Sequence, residues 1–176
     1  MQYRRLKTPG ATYFFTVVTY RRRKILCEPD NLALLRTAFE RIKSRRPFTL
    51  DALVLLPDHL HCIWTLPPDD ADYSTRWNGI KGYFARRCHA RYKTTPSAAQ
   101  KHKRSQTVWQ SRFWEHQIRD DRDFENHCDY LHWNPVKHGW VERVIDWPHS
   151  TFHRFVRLGL YPPDWGYITD DEDFGE

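Results

Sequence analysis

Apolar and β-branched side chains dominate residues 11–20, ATYFFTVVTY, which lie between Pro9-Gly10 and a run of arginines. Residues 48–57 and 59–67 form two further apolar runs, separated only by a short turn at Pro57 and Asp58. Runs of this composition bounded by turn residues predict strands. Residues 112–119, RFWEHQIR, are a fourth and weaker strand candidate.

Between these runs, apolar positions recur every three or four residues, which is the period of a helix. Asp30 is the expected N-cap of the first helix, which should end near Arg45 because Pro47 disfavours helical geometry before it. The second helix is expected to begin near Ser74, the third covers about 121–139, and a short one covers 152–158. The apolar positions are Leu32, Leu35, Phe39 and Ile42, then Trp77, Ile80, Phe84 and Cys88, then Phe124, Cys128 and Leu131.

The predicted order is strand, helix, strand, strand, helix, strand, helix. This order favours an α+β fold with ferredoxin-like topology, in which helices pack on one face of an antiparallel sheet. We expect one domain over residues 1–160, followed by an acidic C-terminal tail at 161–176. Residues 94–107 are polar and basic, and are predicted to be a loop.

Basic residues are distributed unevenly. The chain has 28 Lys and Arg against 22 Asp and Glu, a net charge of +6, yet residues 73–114 contain no carboxylate. Such one-sided segments favour a nucleic-acid partner, although a solvated face is the alternative. The residues expected to hold phosphates are Arg4, Arg5, Arg21, Arg22, Arg23, Lys81, Arg86 and Arg87.

The sequence His59-Leu60-His61 lies within a predicted strand. Alternation along a strand places both histidines on one face and Leu60 on the other. Two imidazoles in that position can share a divalent metal ion, and ordinary hydrogen bonds are the alternative explanation.

The third helix carries polar residues beside its apolar stripe. Tyr130 and Asn134, four residues apart, would project to one side as a nucleophile and an oxygen ligand. That geometry requires the helix to continue past Pro135, which removes a backbone donor. His127 falls on the same side, where it could act as a base or brace the helix.

These motifs together resemble the REP-associated tyrosine transposases, which belong to the single-tyrosine HUH nucleases. The combination of LPDHLHCIWTLP and DYLHWNPVKHG is specific, and the similarity spans nearly the whole chain. Further matching segments are ATYFFTVVTYRRR, STRWNGIKGYF, SRFWEHQIRDDRDFENHC and DWPHSTFHRFVRLGLYPPDWG.

The resemblance implies a function and assigns site residues. It makes Tyr130 the attacking tyrosine, His59 and His61 metal ligands, and Asn134 the third ligand of a Mg²⁺ or Mn²⁺ ion. The expected activity is metal-dependent cleavage and joining of single-stranded DNA at repetitive extragenic palindrome hairpins, through a 5′-phosphotyrosine. A monomer is expected, and a dimer is the alternative.

Other functions are less consistent with the sequence. A nucleic-acid-binding module without catalysis and a metal phosphoesterase that uses water both stay open. Cys27, Cys62, Cys88 and Cys128 have no zinc-site or disulfide spacing, which makes a structural metal protein a distant alternative. With no apolar run of membrane-spanning length and no signal-like N-terminus, a cytoplasmic location without membrane contact is expected.

Overall fold

The computed structural model describes residues 7–98 and 107–166. Its strands are β1 (Thr12–Val18), β2 (Thr49–Leu55), β3 (His59–Thr65) and β4 (Trp114–Gln117). Its α-helices are α1 (Pro29–Arg45), α2 (Tyr73–Arg87), α3 (Asp121–Lys137) and α4 (Phe152–Arg157). Within the described residues, these four strands and four α-helices correspond to predicted elements.

The strands form one antiparallel sheet in the order β2-β3-β1-β4. With α1 following β1 and α2 following β3, this order is the ferredoxin-like arrangement, and the α+β class is confirmed. β3 lies between β1 and β2, where Val18 pairs with His59 and Thr16 with His61. The motif HLH therefore occupies the start of a central strand.

Helices cover both faces of the sheet rather than one. The first core contains Phe15, Leu60 and Trp64 from the sheet together with residues of α1 and α2. A second core on the opposite face contains Phe14, Ile63, and Cys128 of α3. Six of the seven residues of β3 are buried, because the strand has protein on both sides.

Two details of the structure differ from or extend the sequence predictions. α1 begins at Pro29, so Asp30 lies in its first turn and is not the N-cap. Proline suits that first position because the missing N–H would have no helical partner there. At the other end of the chain, Tyr161 packs against Trp165 at a ring-centre distance of 4.7 Å, so ordered packing reaches the beginning of the predicted tail.

Parts of two predicted segments lie outside the described residues: positions 99–106 of the basic loop and positions 167–176 of the acidic tail. No helix within residues 7–98 and 107–166 is long and apolar enough to cross a membrane.

Candidate functional site

His59 and His61 project from one face of β3, as the alternation predicts. Each is only 4% exposed, and their ring centres are 4.9 Å apart at an interplanar angle of 82°. Leu60 and Cys62 between and beside them belong to the core on the opposite face. β3 thus places two imidazoles on one face of the sheet, while Leu60 and Cys62 anchor the strand in the core on the other face.

Both rings are oriented through Nδ1. Asp58 Oδ1 lies 2.6 Å from Nδ1 of His59, and Thr16 Oγ1 lies 2.8 Å from Nδ1 of His61. Arg22 donates to the second oxygen of Asp58 at 3.0 Å. Partners of this kind fix the tautomer of a metal-binding histidine, and they leave Nε2 of each ring as the nitrogen that could coordinate an ion.

The electrostatics keep His61 neutral. Burial, together with the nearby His59 and His138, lowers the pKa of His61 to about 3, although the neighbouring Asn134 amide opposes this shift. A neutral imidazole has the lone pair that coordination requires. His61 therefore needs no deprotonation at neutral pH before it can bind an ion.

Asn134 lies on α3, and its side chain is fully buried. α3 continues through Pro135 to Lys137, which satisfies the condition for Tyr130 and Asn134 to share one side of the helix. Neither polar atom of the Asn134 amide has a hydrogen-bond partner among the described residues. Asn134 therefore affects the pKa of His61 through its proximity, without a hydrogen bond of normal geometry. Buried amides are normally paired, so this orphaned group suits a ligand position.

Tyr130 is 43% exposed, one helical turn before Asn134. Its ring centre lies 5.4 Å from that of His61, and Lys137 Nζ lies 5.2 Å from the centre of the tyrosine ring. The structure thus brings together an accessible phenol, a cation and the predicted metal ligands. A bulky phosphodiester can approach this hydroxyl, which a buried phenol would not permit.

His138 is a site residue that the sequence prediction missed. It caps the C-terminal end of α3, and its ring centre lies 5.3 Å from that of His59. Burial and the neighbouring His59 lower its pKa. The available signal was its spacing of four residues from Asn134, which places both near the end of one helix.

A second polar cluster surrounds Asp123 at the start of α3. His116, Asp123 and His127 have side-chain atoms within 4.8 Å of one another and could hold a metal ion. However, Asp123 Oδ2 already accepts from His116 at 2.8 Å and from Arg119 Nε at 3.1 Å. Burial opposes the shift, but hydrogen bonds from Arg119 and His116 hold the pKa of Asp123 well below its usual range. Because the Asp123 carboxylate is already paired with Arg119 and His116, it is better explained as a group that holds β4 and α3 together than as a ligand for a cation.

His127 lies on the same side of α3 as Tyr130, as predicted. Its Nδ1 atom is 2.7 Å from the backbone oxygen of Asp123, and its ring stacks on His116 at 4.6 Å. These contacts brace the N-terminal part of α3. Its role as a proton acceptor stays a prediction.

The predicted phosphate-binding residues are not equivalent in the structure. Arg22 is joined to His59 through Asp58, whereas Arg23 donates to the backbone oxygens of Arg91 and Tyr92. Lys81 donates to the backbone oxygen of Gln110 at 2.7 Å. The remaining positions are Arg21, which has a left-handed φ of 55°, Arg86 and Arg87, which are exposed at the end of α2, and Arg4 and Arg5, which lie outside the described residues.

Residues 7–134 match the family model described as "Transposase IS200 like". The REP-associated tyrosine transposase of Escherichia coli K12 is 47% identical over 170 residues, covering 96% of this chain and 93% of the relative. A relative from Haemophilus influenzae is 44% identical over 93% of this chain and 92% of its own. A solved structure of a REP-associated tyrosine transposase bound to a REP hairpin superposes with a TM-score of 0.77 at 45% identity, covering 99% of this chain and 94% of that one.

Proposed function

Because this chain belongs to the IS200-like transposases, and within them to the REP-associated tyrosine transposases, we propose that it cuts and rejoins single-stranded DNA through a covalent bond to Tyr130. Family membership makes the chain a transposase. One observation carries the proposed mechanism: an accessible tyrosine lies beside a buried, oriented histidine pair and an orphaned asparagine amide. All four side chains come from one chain, which suits action as a monomer.

Tyr130 acts as the nucleophile. Its phenolic oxygen forms a bond to phosphorus while the bond from phosphorus to the 3′-oxygen breaks. The phenol proton is lost, the released 3′-oxygen gains a proton, and the 5′ end stays on the protein as a phosphotyrosine. A DNA 3′-hydroxyl attacking that phosphorus reverses the step without an external energy source, since one phosphodiester is exchanged for another.

The residues around Tyr130 fit a divalent metal ion. His59 and His61 offer Nε2, and Asn134 offers a carbonyl oxygen, a mixed set that suits Mn²⁺ and accommodates Mg²⁺. When bound there, such an ion supplies Lewis-acid polarisation of a phosphate oxygen. Asp58 and Thr16 orient the two imidazoles, and Lys137 beside the tyrosine ring attracts the anionic strand.

A DNA hairpin is the proposed substrate. The solved relative with a REP hairpin has 45% identity and covers 99% of this chain. Backbone phosphates of an unpaired strand can reach a site at the protein surface that a regular duplex would approach poorly. We therefore propose REP-type hairpins, cleaved in an unpaired segment next to the stem.

The test uses hairpin oligonucleotides labelled at either the 5′ or the 3′ end, incubated with Mn²⁺, Mg²⁺ or EDTA. We expect a metal-dependent adduct that survives SDS and carries the label of the 5′-phosphate fragment. Tyr130→Phe should abolish the adduct while preserving hairpin binding, and His59→Ala should reduce it by at least about a hundredfold. Tyr20→Phe is the matched control, because Tyr20 packs beside Arg21 and does not line the groove at Tyr130.

The other outcomes separate the alternative functions. Cleavage that produces no adduct would replace the tyrosine mechanism by water-dependent hydrolysis. Tight hairpin binding with no cleavage by the unmodified protein, with either metal, would identify a binding module instead.

A further inference from the structure

A groove of about 530 Å³ opens between β4 and α3, next to Tyr130. This volume falls within the roughly 300–1,000 Å³ of small-molecule sites. Phe14 of β1 forms its floor, with ring-centre distances of 5.7 Å to Trp114 and 6.1 Å to Tyr130. The lining residues are Phe14, Thr16, Trp114, Asn126, His127 and Tyr130.

Trp114 gives the groove an unusual wall. It is 52% exposed, although it is one of the largest apolar side chains in the protein. Trp77 and Trp109, which are also large enough to stack on a base, are buried in the first core instead. Among these three tryptophans, only Trp114 therefore presents its ring to a ligand at the site.

The indole ring of Trp114 is supported on one side by neighbouring histidines. Its ring lies nearly parallel to that of His116, with an interplanar angle of 6° and 6.0 Å between centres. His116 is hydrogen-bonded to Asp123 and stacks in turn on His127. A ring supported in this way loses little conformational freedom when a flat ligand packs on it.

We propose that this groove is a subsite for one unpaired nucleobase adjacent to the bond that Tyr130 attacks, with Trp114 as the stacking platform. The inference rests on the proposed function and extends it to a position in the substrate. Continuity with Tyr130 places a base in the groove when its phosphate reaches the hydroxyl. Asn126, exposed at the rim, offers both a donor and an acceptor to the edge of that base.

The experiment measures coupling between Trp114 and individual bases. Fluorescently labelled hairpins carry a single abasic residue at each position within four nucleotides of the cleaved bond. Binding is measured by anisotropy with Mn²⁺, in the Tyr130→Phe background to prevent cleavage. One abasic position should weaken binding by about 5- to 150-fold, the usual effect of losing one base stack on an aromatic ring.

The expected result is that Trp114→Ala weakens binding of the intact hairpin by a similar factor and makes that abasic position neutral. Trp114→Phe should retain most of the abasic effect, and Trp140→Ala, an exposed tryptophan outside the groove, should retain all of it. Thermal unfolding checks that each variant is folded. If Trp114→Ala is misfolded, the proposal is judged on Trp114→Phe, which must then give a measurably smaller, but not abolished, abasic effect at that position and an unchanged effect at every other.

Additive losses, with the same abasic penalty in every folded variant, would overturn the subsite and leave the proposed function intact. Failure of the unmodified protein to bind or cleave any single-stranded hairpin would overturn both.

Discussion

The buried amide of Asn134 is energetically unfavourable in the isolated protein. A buried polar group without a hydrogen bond costs about 1–3 kcal/mol, and neither amide atom has a partner within the described part of the chain. A metal ligand tolerates that cost because the bound ion completes its surroundings. In the role proposed for Asn134, function and stability therefore make opposite demands on the side chain at this position.

We predict that Asn134→Leu leaves the metal-free protein as stable as before, or raises its free energy of unfolding by up to about 2 kcal/mol. Stabilisation by Mn²⁺ should fall sharply, because one ligand is removed. Urea unfolding with and without Mn²⁺ measures both effects. Asn31→Leu is the matched control: Asn31 is also buried but donates to the Ile25 oxygen at 2.7 Å, so its replacement should destabilise the protein. Clear destabilisation by Asn134→Leu without metal would contradict the interpretation.

Asp58 provides a second prediction at this scale. Asp58→Asn removes the carboxylate that orients His59 and should weaken Mn²⁺ binding by about 10- to 100-fold. Isothermal titration calorimetry measures this affinity. Asp146→Asn is the control, because the carboxylate of Asp146 pairs with Arg143 and not with a histidine. Equal affinities in the two variants would show that Asp58 does not orient a ligand.

The sequence predicted the positions of His59 and His61 more reliably than those of the α3 residues Asn134 and His138. Strand alternation alone places His59 and His61 together, because a two-residue period leaves no other arrangement. The predicted position of Asn134 was correct only if α3 continues through Pro135. Tertiary packing, and not local helix propensity, decides whether a helix does so. His138 escaped prediction because a residue at a helix end has no fixed direction until the chain beyond it is placed.

At the scale of elements, Asp123 joins α3 to β4. It lies in the first turn of the helix and accepts from His116 of the strand and from Arg119 in the connecting segment. The same carboxylate thus fixes the start of the helix that carries Tyr130. The helix and strand should lose their mutual alignment when this charge is removed.

We predict that Asp123→Asn lowers the free energy of unfolding by about 1–3 kcal/mol at pH 7. Because the pKa of Asp123 is depressed in the folded protein, its contribution is present above the unfolded value, about 3.9, and fades as the pH falls below it. The difference between the two proteins should therefore shrink from pH 7 to pH 3. Urea unfolding across this range measures it, and a constant difference would contradict the assigned role.

The elements themselves were largely predictable, but their layering was not. Periods of two and three to four residues marked the strands and helices, and the order of elements indicated the topology. The sequence did not predict which helices cover the second face of the sheet. Because β3 is buried on both sides, its inward and outward residues differ little in hydrophobicity. Trp147 also packs on that face, where its indole donates to the backbone oxygen of Leu55. The two residues are 92 positions apart in the sequence, so local patterns do not predict this contact.

At the scale of the whole molecule, basic groups meet at one end of the sheet. Arg23 contacts the residues that follow α2, and His59 lies at the same end because it pairs with the last residue of β1. Arg86 and Arg87, at the end of α2, therefore lie at the same end of the sheet as His59, although α2 packs on the opposite face. A strand bound at Tyr130 can continue across this end.

We predict that the double variant Arg86→Gln with Arg87→Gln weakens hairpin binding and reduces the slope of log affinity against log salt by about 0.7 for each phosphate that the variant no longer neutralises. Anisotropy titrations at several salt concentrations give the slope. Arg45→Gln is the control, because α1 ends at the opposite end of the sheet, before β2 pairs with the end of β3. An unchanged slope in the double variant would place the DNA elsewhere.

The placement of Tyr130 on α3 has a consequence for strand exchange. Cys128 and Leu131 fix this helix in the second core, and Asn134 on the same helix lies beside His61. If DNA is joined to Tyr130 as proposed, that end would stay beside the histidines, and the end just released could reseal the cut. We expect that a different end can be joined only after it is delivered to that stationary linkage, so the folding and unfolding of the nucleic acid, rather than a hinge in the protein, would set which ends are exchanged.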